Sequence, residues 1–330
     1  MIRQLARRVP FAALVTMAGL ACSAPAIGDE LSLRFERQLQ IPISTDPLLQ
    51  PLTVHADLHA GEVFVGDRRV PRIAIFDSRG VFRFAIRGGA LFNSPIDIAT
   101  WPDGHILLLA YVEKRPALVR LDFDGQDPEL IELKLPEEIE QLDKQLNNAW
   151  LVSVALSPEG DRIYVLDEGN LALWISDPSG QIIGWIDFGE GLDEQEAQEM
   201  FLTRVDVYRD TILVPLPTEG SVRLYDLDGR PRGRVGRKGG TSCETAFPVA
   251  AALDAQGRVL MLDRQRMLVM LWRIDGNRCL GEASGIGRNL GRLYFPADLA
   301  LDARGRVLVG QGFKGRVQAF SGAEPAALPQ

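Results

Sequence analysis

The chain has 330 residues, with 36 lysines and arginines against 44 acids, a formal net charge of −8 and three cysteines. An acidic chain of this kind has no general affinity for nucleic acid. It contains no Cys-x-x-Cys-His, which excludes covalent c-type haem.

The N terminus reads as an export signal over residues 1–26. Arg3, Arg7 and Arg8 precede an apolar stretch from Val9 to Ala21 that is too short to span a bilayer, and small residues follow. Cleavage after Ala26 fits Ala24-Pro25-Ala26, whereas Gly19-Leu20-Ala21-Cys22 resembles a bacterial lipobox and would put a lipid on Cys22. The expected location is therefore the periplasm, either free or as a membrane-anchored lipoprotein. No later segment reads as a transmembrane span. The signal carries three arginines and no acid, so the mature chain is more acidic still.

Residues 31–41 alternate apolar and polar, the pattern of a half-buried strand. After them a unit recurs about six times: an apolar run, a Gly- or Asp-containing turn, an apolar strand, a polar turn and further strands. Phe247-Pro248-Val249-Ala250-Ala251-Ala252-Leu253-Asp254 and Phe295-Pro296-Ala297-Asp298-Leu299-Ala300-Leu301-Asp302 are two copies almost in register. The equivalent turns at Gly61, Gly104, Gly160, Asp210, Gly257 and Gly305 stand about 43 to 56 residues apart, near the roughly 40 to 50 of a four-stranded propeller blade. The last copy stops after its third strand, Val317 to Phe320. Its fourth strand is expected from residues 31–41, which would close the ring and remove the open edges.

The Gly-rich link, Pro, small apolar run, Asp-x-x-Gly turn and apolar strand ending in Asp resemble NHL repeats, whose members form six-bladed β-propellers. The likeness covers roughly residues 50–322. It implies an all-β fold of six four-stranded antiparallel blades in a single domain over 31–322, with a disordered tail over 323–330. Asp67, Asp167 and Asp263 match the Asp that the family places after the second strand, where it braces the next turn. Ala110-Tyr111, Pro215 and Gln311 depart from that pattern. Pro215 and Pro217 weaken the fourth blade most, because neither can donate to the ladder.

Two insertions are expected to be helical: 136–146, with Ile139, Leu142 and Leu146 at helical spacing, and 192–200. Cys243 and Cys279 fall in the same blade of an exported chain and read as a disulfide. His55, Asp57 and His59 share a strand face, but His55 and His59 would lie about 13 Å apart along it, too far for one ion. The Gly285-Ile286-Gly287-Arg288-Asn289-Leu290-Gly291 run lacks the following helix of a dinucleotide loop and reads as an inter-blade link. No Ser-His-Asp arrangement can be assembled, and no cofactor is implied.

In a propeller the inter-blade links share a face with the turns joining second and third strands. Here that face would carry Arg68, Arg69, Arg72, Arg115, Arg264, Arg266, Arg288, Arg292, Lys314 and Arg316, together with Lys114, Arg237 and Lys238. Asp97, Ser153, Thr203, Ala250 and Asp298 occupy equivalent first-strand positions that could line the channel mouth. Two functions fit. The favoured one is a non-catalytic scaffold that docks a partner protein or envelope component on the loop-rich face. The other is a hydrolase or lyase resembling propeller lactonases, with a divalent ion at the mouth, for which two acids are a thin ligand set.

Overall fold

The computed structural model describes residues 31–43, 46–89, 91–135, 146 and 149–323. The export signal, nearly all of the first helical insertion and residues 324–330 lie outside the described residues. The rest is a ring of six antiparallel four-stranded sheets, as the repeat predicts.

The first blade is β2 (Pro51–Asp57), β3 (Glu62–Asp67), β4 (Arg72–Phe76) and β5 (Phe82–Arg87); the second is β6 (Ser94–Thr100), β7 (Ile106–Val112), β8 (Arg115–Leu121) and β9 (Glu129–Ile131). The third is β10 (Leu151–Leu156), β11 (Ile163–Asp167), β12 (Ala172–Ser176) and β13 (Ile182–Asp187). The fourth is β14 (Asp206–Tyr208), β15 (Thr211–Leu216), β16 (Ser221–Tyr225) and β17 (Pro231–Val235). The fifth is β18 (Pro248–Leu253), β19 (Arg258–Asp263), β20 (Leu268–Arg273) and β21 (Arg278–Ser284). The sixth joins β22 (Asp298–Leu301), β23 (Val307–Gln311) and β24 (Arg316–Ser321) to β1 (Arg34–Leu39) from the opposite end of the chain. Arg34 pairs with Ser321 and Leu39 with Val317, so the N-terminal strand completes the last blade.

Composition explains the layering. Second strands such as Arg258–Asp263 are buried at every position, and so is the inner strand Pro248–Leu253. Such strands are packed on both faces and therefore read as continuous apolar runs. The outer strand Pro231–Val235 exposes all but its last residue and carries Arg232 and Arg234. Apolar clusters lie between neighbouring blades, one of them spanning blades four to six.

The predicted Asp braces are in place. Asp67 accepts from Leu49 N and Gln50 N in the link and from Arg69 N and Val70 N in the following turn. Asp263 does the same for Ala246, Phe247, Gln265 and Arg266, and Asp167 for Trp150 and Asn170. In blade six Gln311 keeps the role through its amide oxygen, which accepts from Tyr294 N. The second insertion forms a short helix, α1 (Glu194–Glu199), started by a capping box between Asp193 and Glu196.

Cys243 and Cys279 are joined in a disulfide that ties the link entering blade five to its outer strand. Replacing both with serine should lower stability by about 2 to 4 kcal/mol. Denaturant midpoints that coincide for the native and variant proteins would show that the bridge contributes nothing.

Candidate functional site

Four inner strands carry a β-bulge near their start, at Pro51/Thr53, Pro95/Asp97, Leu151/Ser153 and Pro248/Ala250. A bulge re-aims the following side chain. It falls next to Thr53, Asp97, Ser153 and Ala250, so equivalent positions from successive blades meet at the axis. Gly66 stands opposite Thr53, and a Cβ there would come within 2.4 Å of the Thr53 methyl. Only glycine leaves room for that residue.

The fourth blade departs from the others. Its ladder pairs Asp206 with Leu213 and Tyr208 with Thr211, then stops. Continued in the same register it would set Arg204 opposite Pro215, which has no N–H to give. Residues 203–205 are therefore free of the ladder, and Arg204 reaches across the channel. Its Nη1 donates to Asp298 Oδ2 at 2.7 Å, to Asp97 Oδ1 at 3.0 Å and to Thr53 Oγ1 at 3.4 Å. Its Nε and Nη2 donate to Asp206 at 2.8 and 3.3 Å.

A polar girdle runs round this arginine. Asp97 accepts from Thr53 Oγ1 in blade one and from Ser153 Oγ and Val154 N in blade three, at 2.9, 2.5 and 3.0 Å. Ser153 Oγ in turn accepts from Val205 N at 3.0 Å, and Thr203 Oγ1 donates to Val249 O at 3.1 Å. Asp298 accepts from Val54 N at 2.6 Å, which closes the seam between blades six and one. Of the channel positions anticipated from the repeat, Asp97, Ser153 and Asp298 are tied into this girdle and Thr203 lines the recess beside it. Arg204 and Thr53 were not among them.

Electrostatics follow from three carboxyls around one guanidinium in a buried place. Burial pushes Asp206 up to about 7 and Asp298 up to about 6; in both, Arg204 opposes the rise and neighbouring carboxyls add to it. Burial works against the charge of Arg204, but Asp206, Asp298 and Asp97 outweigh it and hold the group well above its ordinary value. Burial also lowers His55 to about 4, so its imidazole is neutral at pH 7. His55 Nε2 lies 2.9 Å from Thr100 Oγ1, while Asp57 accepts from His59 N and Ala60 N in its own turn. Among the described residues no group of three His, Cys, Asp or Glu is disposed to hold a metal ion.

The divalent ion implied by a lactonase-like reading does not fit this centre. The facing oxygens of Asp97 and Asp298 already accept from Arg204, Thr53, Ser153 and backbone N–H groups. A fixed positive charge stands where the ion would sit.

Arg204 divides the channel. Toward the link face it leaves a recess of about 140 Å³ lined by Asp97, Thr203, Arg264 and Asp298. Toward the opposite face, where inner strands end, a cavity of about 100 Å³ is lined by His55, Asp57, Thr100, Arg204, Asp206 and Tyr208 below a collar of apolar residues.

The arginines of the link face separate into two groups. Arg72 is fully buried and pairs with Asp67 and Asp46, and Arg316 is buried with its guanidinium on the carbonyls of Arg288, Asn289 and Arg292. Arg266 pairs with Glu282, and Arg264 donates to Pro296 O. These four brace the fold, contrary to their placement on a free rim. Each of Arg72 and Arg316 opens a third strand, where the register sets it against the last residue of the second, Asp67 or Gln311. Arg68, Arg69, Arg115, Arg288, Arg292 and Lys314 are exposed. Two of them, Arg288 and Lys314, edge an apolar cluster that sequence reasoning missed. Tyr294, Phe295 and Phe313 pack ring on ring, with centroids 4.9 to 6.1 Å apart, yet Phe313 is 77% and Phe295 46% exposed. Arg288 lies 4.8 Å and Lys314 5.8 Å from the centroid of the Tyr294 ring. Ile286 and Leu290 are exposed on the same link.

The fold and this axial layout define a six-bladed β-propeller. No protein-family model matches the chain, and no curated protein matches it in sequence. Among solved structures it is similar to a structural genomics protein of unknown function from Bacteroides thetaiotaomicron, with a TM-score of 0.61 and 12% identity over 87% of this chain and 73% of that one. It is also similar to a protein of unknown function from Bacteroides caccae, with a TM-score of 0.55 and 16% identity over 82% and 93%. These likenesses establish the fold alone.

Proposed function

We propose that this protein is an exported, non-catalytic propeller of the NHL type that docks an acidic partner protein of the cell envelope on the link face between blades five and six. The observation that carries the reading is the exposed Tyr294, Phe295 and Phe313 cluster edged by Arg288 and Lys314, with Arg292 exposed on the same link. Surface rings of this size are stabilised when covered by a partner, and aromatic and arginine side chains are the usual anchors of protein interfaces. Exposed guanidinium groups add bidentate pairing with carboxylates and speed encounter with an acidic surface. The disulfide accords with an oxidising compartment. No helix among the described residues is long and apolar enough to cross a membrane.

The test is quantitative affinity capture from envelope extract, with the captured protein then titrated against pure variants. Reversing charge at Arg288, Arg292 and Lys314 together should weaken binding by about a hundredfold and flatten its salt dependence. Thr203→Ala, at the channel, should leave it unchanged. Equal binding by the triple variant would remove the link face from consideration. Hydrolase or lyase turnover that depends on Asp97 and Asp298 would favour the enzymatic alternative.

A further inference from the structure

The cavity beyond Arg204 opens on the face opposite the proposed docking surface and encloses about 100 Å³, room for several water-sized groups. Val54, Ile98, Val154, Leu156, Pro158 and Ala300 form an apolar collar within its wall. Its charged lining is Asp57 and Asp206 with Arg204 and Arg209, and Asp97 and Asp298 stand directly behind Arg204, so the cluster as a whole holds four carboxyls against two guanidiniums. Arg204 has little left to offer a ligand, because Nε and Nη2 hold Asp206 and Nη1 is shared by Asp97, Asp298 and Thr53. Asp206 differs. Its side chain keeps 14% of its surface open, and each oxygen accepts one bond from Arg204, although a carboxylate offers about four acceptor sites.

We infer that this cavity binds a small organic ammonium ion, with its charged head on Asp206 and its hydrocarbon body along the apolar collar. A further cation would balance the carboxyls that Arg204 and Arg209 leave in excess. A carboxylate or phosphate ligand would meet the same excess as repulsion. A hydrated divalent ion would need about six to eight oxygens, and the collar supplies hydrocarbon instead. The site shares no residue with the docking surface, so either can fail without the other.

Calorimetric titration of the mature protein with n-propylammonium, 1-propanol and propionate tests the inference. At about pH 8 the ammonium should bind about tenfold or more tightly than the alcohol, and propionate should not bind. Asp206→Asn should weaken ammonium binding by about tenfold or more. Lowering the pH should weaken it as well, because a proton takes the Asp206 carboxyl as pH falls through about 7. The groups facing Asp206 are Arg204 beside it, Asp97 on β6 and Asp298 on β22, with His55 and Asp57 on β2, His59 in the turn after it, and Tyr208 and Arg209 lining the same cavity. Asp298, at about 6, reinforces the trend, and His55 stays neutral until about 4. Propanol binding as well as propylammonium, no heat from any of the three, or full affinity in Asp206→Asn would each overturn the inference. If that variant does not fold, the three-ligand comparison and the pH series on the native protein decide the question.

Discussion

Arg204→Ala should cost the protein about 3 to 5 kcal/mol, the range found when one partner of a buried charge cluster is removed. The guanidinium touches blades one, two and six as well as Asp206 in its own blade. Without it Asp97, Asp206 and Asp298 would share a buried space with no counter-charge. Total stabilities of domains are about 5 to 15 kcal/mol, so the loss is a large part of the whole. The direction with pH is fixed too. Buried acids whose native-state values are raised stabilise the fold while protonated and lose that contribution as pH rises through those values. The variant should therefore recover part of its deficit on mild acidification, as the carboxyls left without the guanidinium gain protons. Urea denaturation at two pH values checks both statements. A deficit below about 1 kcal/mol would mean that the arginine does not hold the girdle together.

Deleting residues 31–41 should have a comparably large effect of a different kind. Leu39 is buried, and among the described residues β1 is the strand that pairs with the outer edge of β24. Removal would expose a row of unpaired backbone groups and open the ring, so the expected result is aggregation or a broad, non-cooperative melt. A native-like melting curve for the monomeric deletion variant would contradict ring closure.

The fold was legible because the blade period, the turn residues and the apolar strands agree with one another. The incomplete sixth repeat and the lone alternating strand at 31–41 even located the closure. Asp97, Ser153, Thr203 and Asp298 followed from the same register. Arg204 did not, since a single arginine in Phe-Leu-Thr-Arg-Val-Asp has no periodic signature. Its signal lay across the ladder: Pro215 marks the place where pairing must stop and the strand before it is released. The rim arginines were misjudged for a related reason. Residues next to a turn read as surface in one dimension, whereas pairing decides that Arg72 and Arg316 point back toward Asp67 and Gln311. The aromatic cluster was hidden because Tyr294-Phe295 and Phe313 lie on separate loops that meet only in the folded ring.

The direction of β1 gives the ring an orientation. The strand starts at the face where the inner strands end and runs toward the links, so its first residue, Arg34, stands on the cavity side. If the chain is held at Cys22, nine residues of leash reach at most about 30 Å. A propeller on so short a leash would turn its acidic well toward the lipid headgroups, where small ammonium groups are plentiful, and present its aromatic and basic links outward to whatever diffuses past.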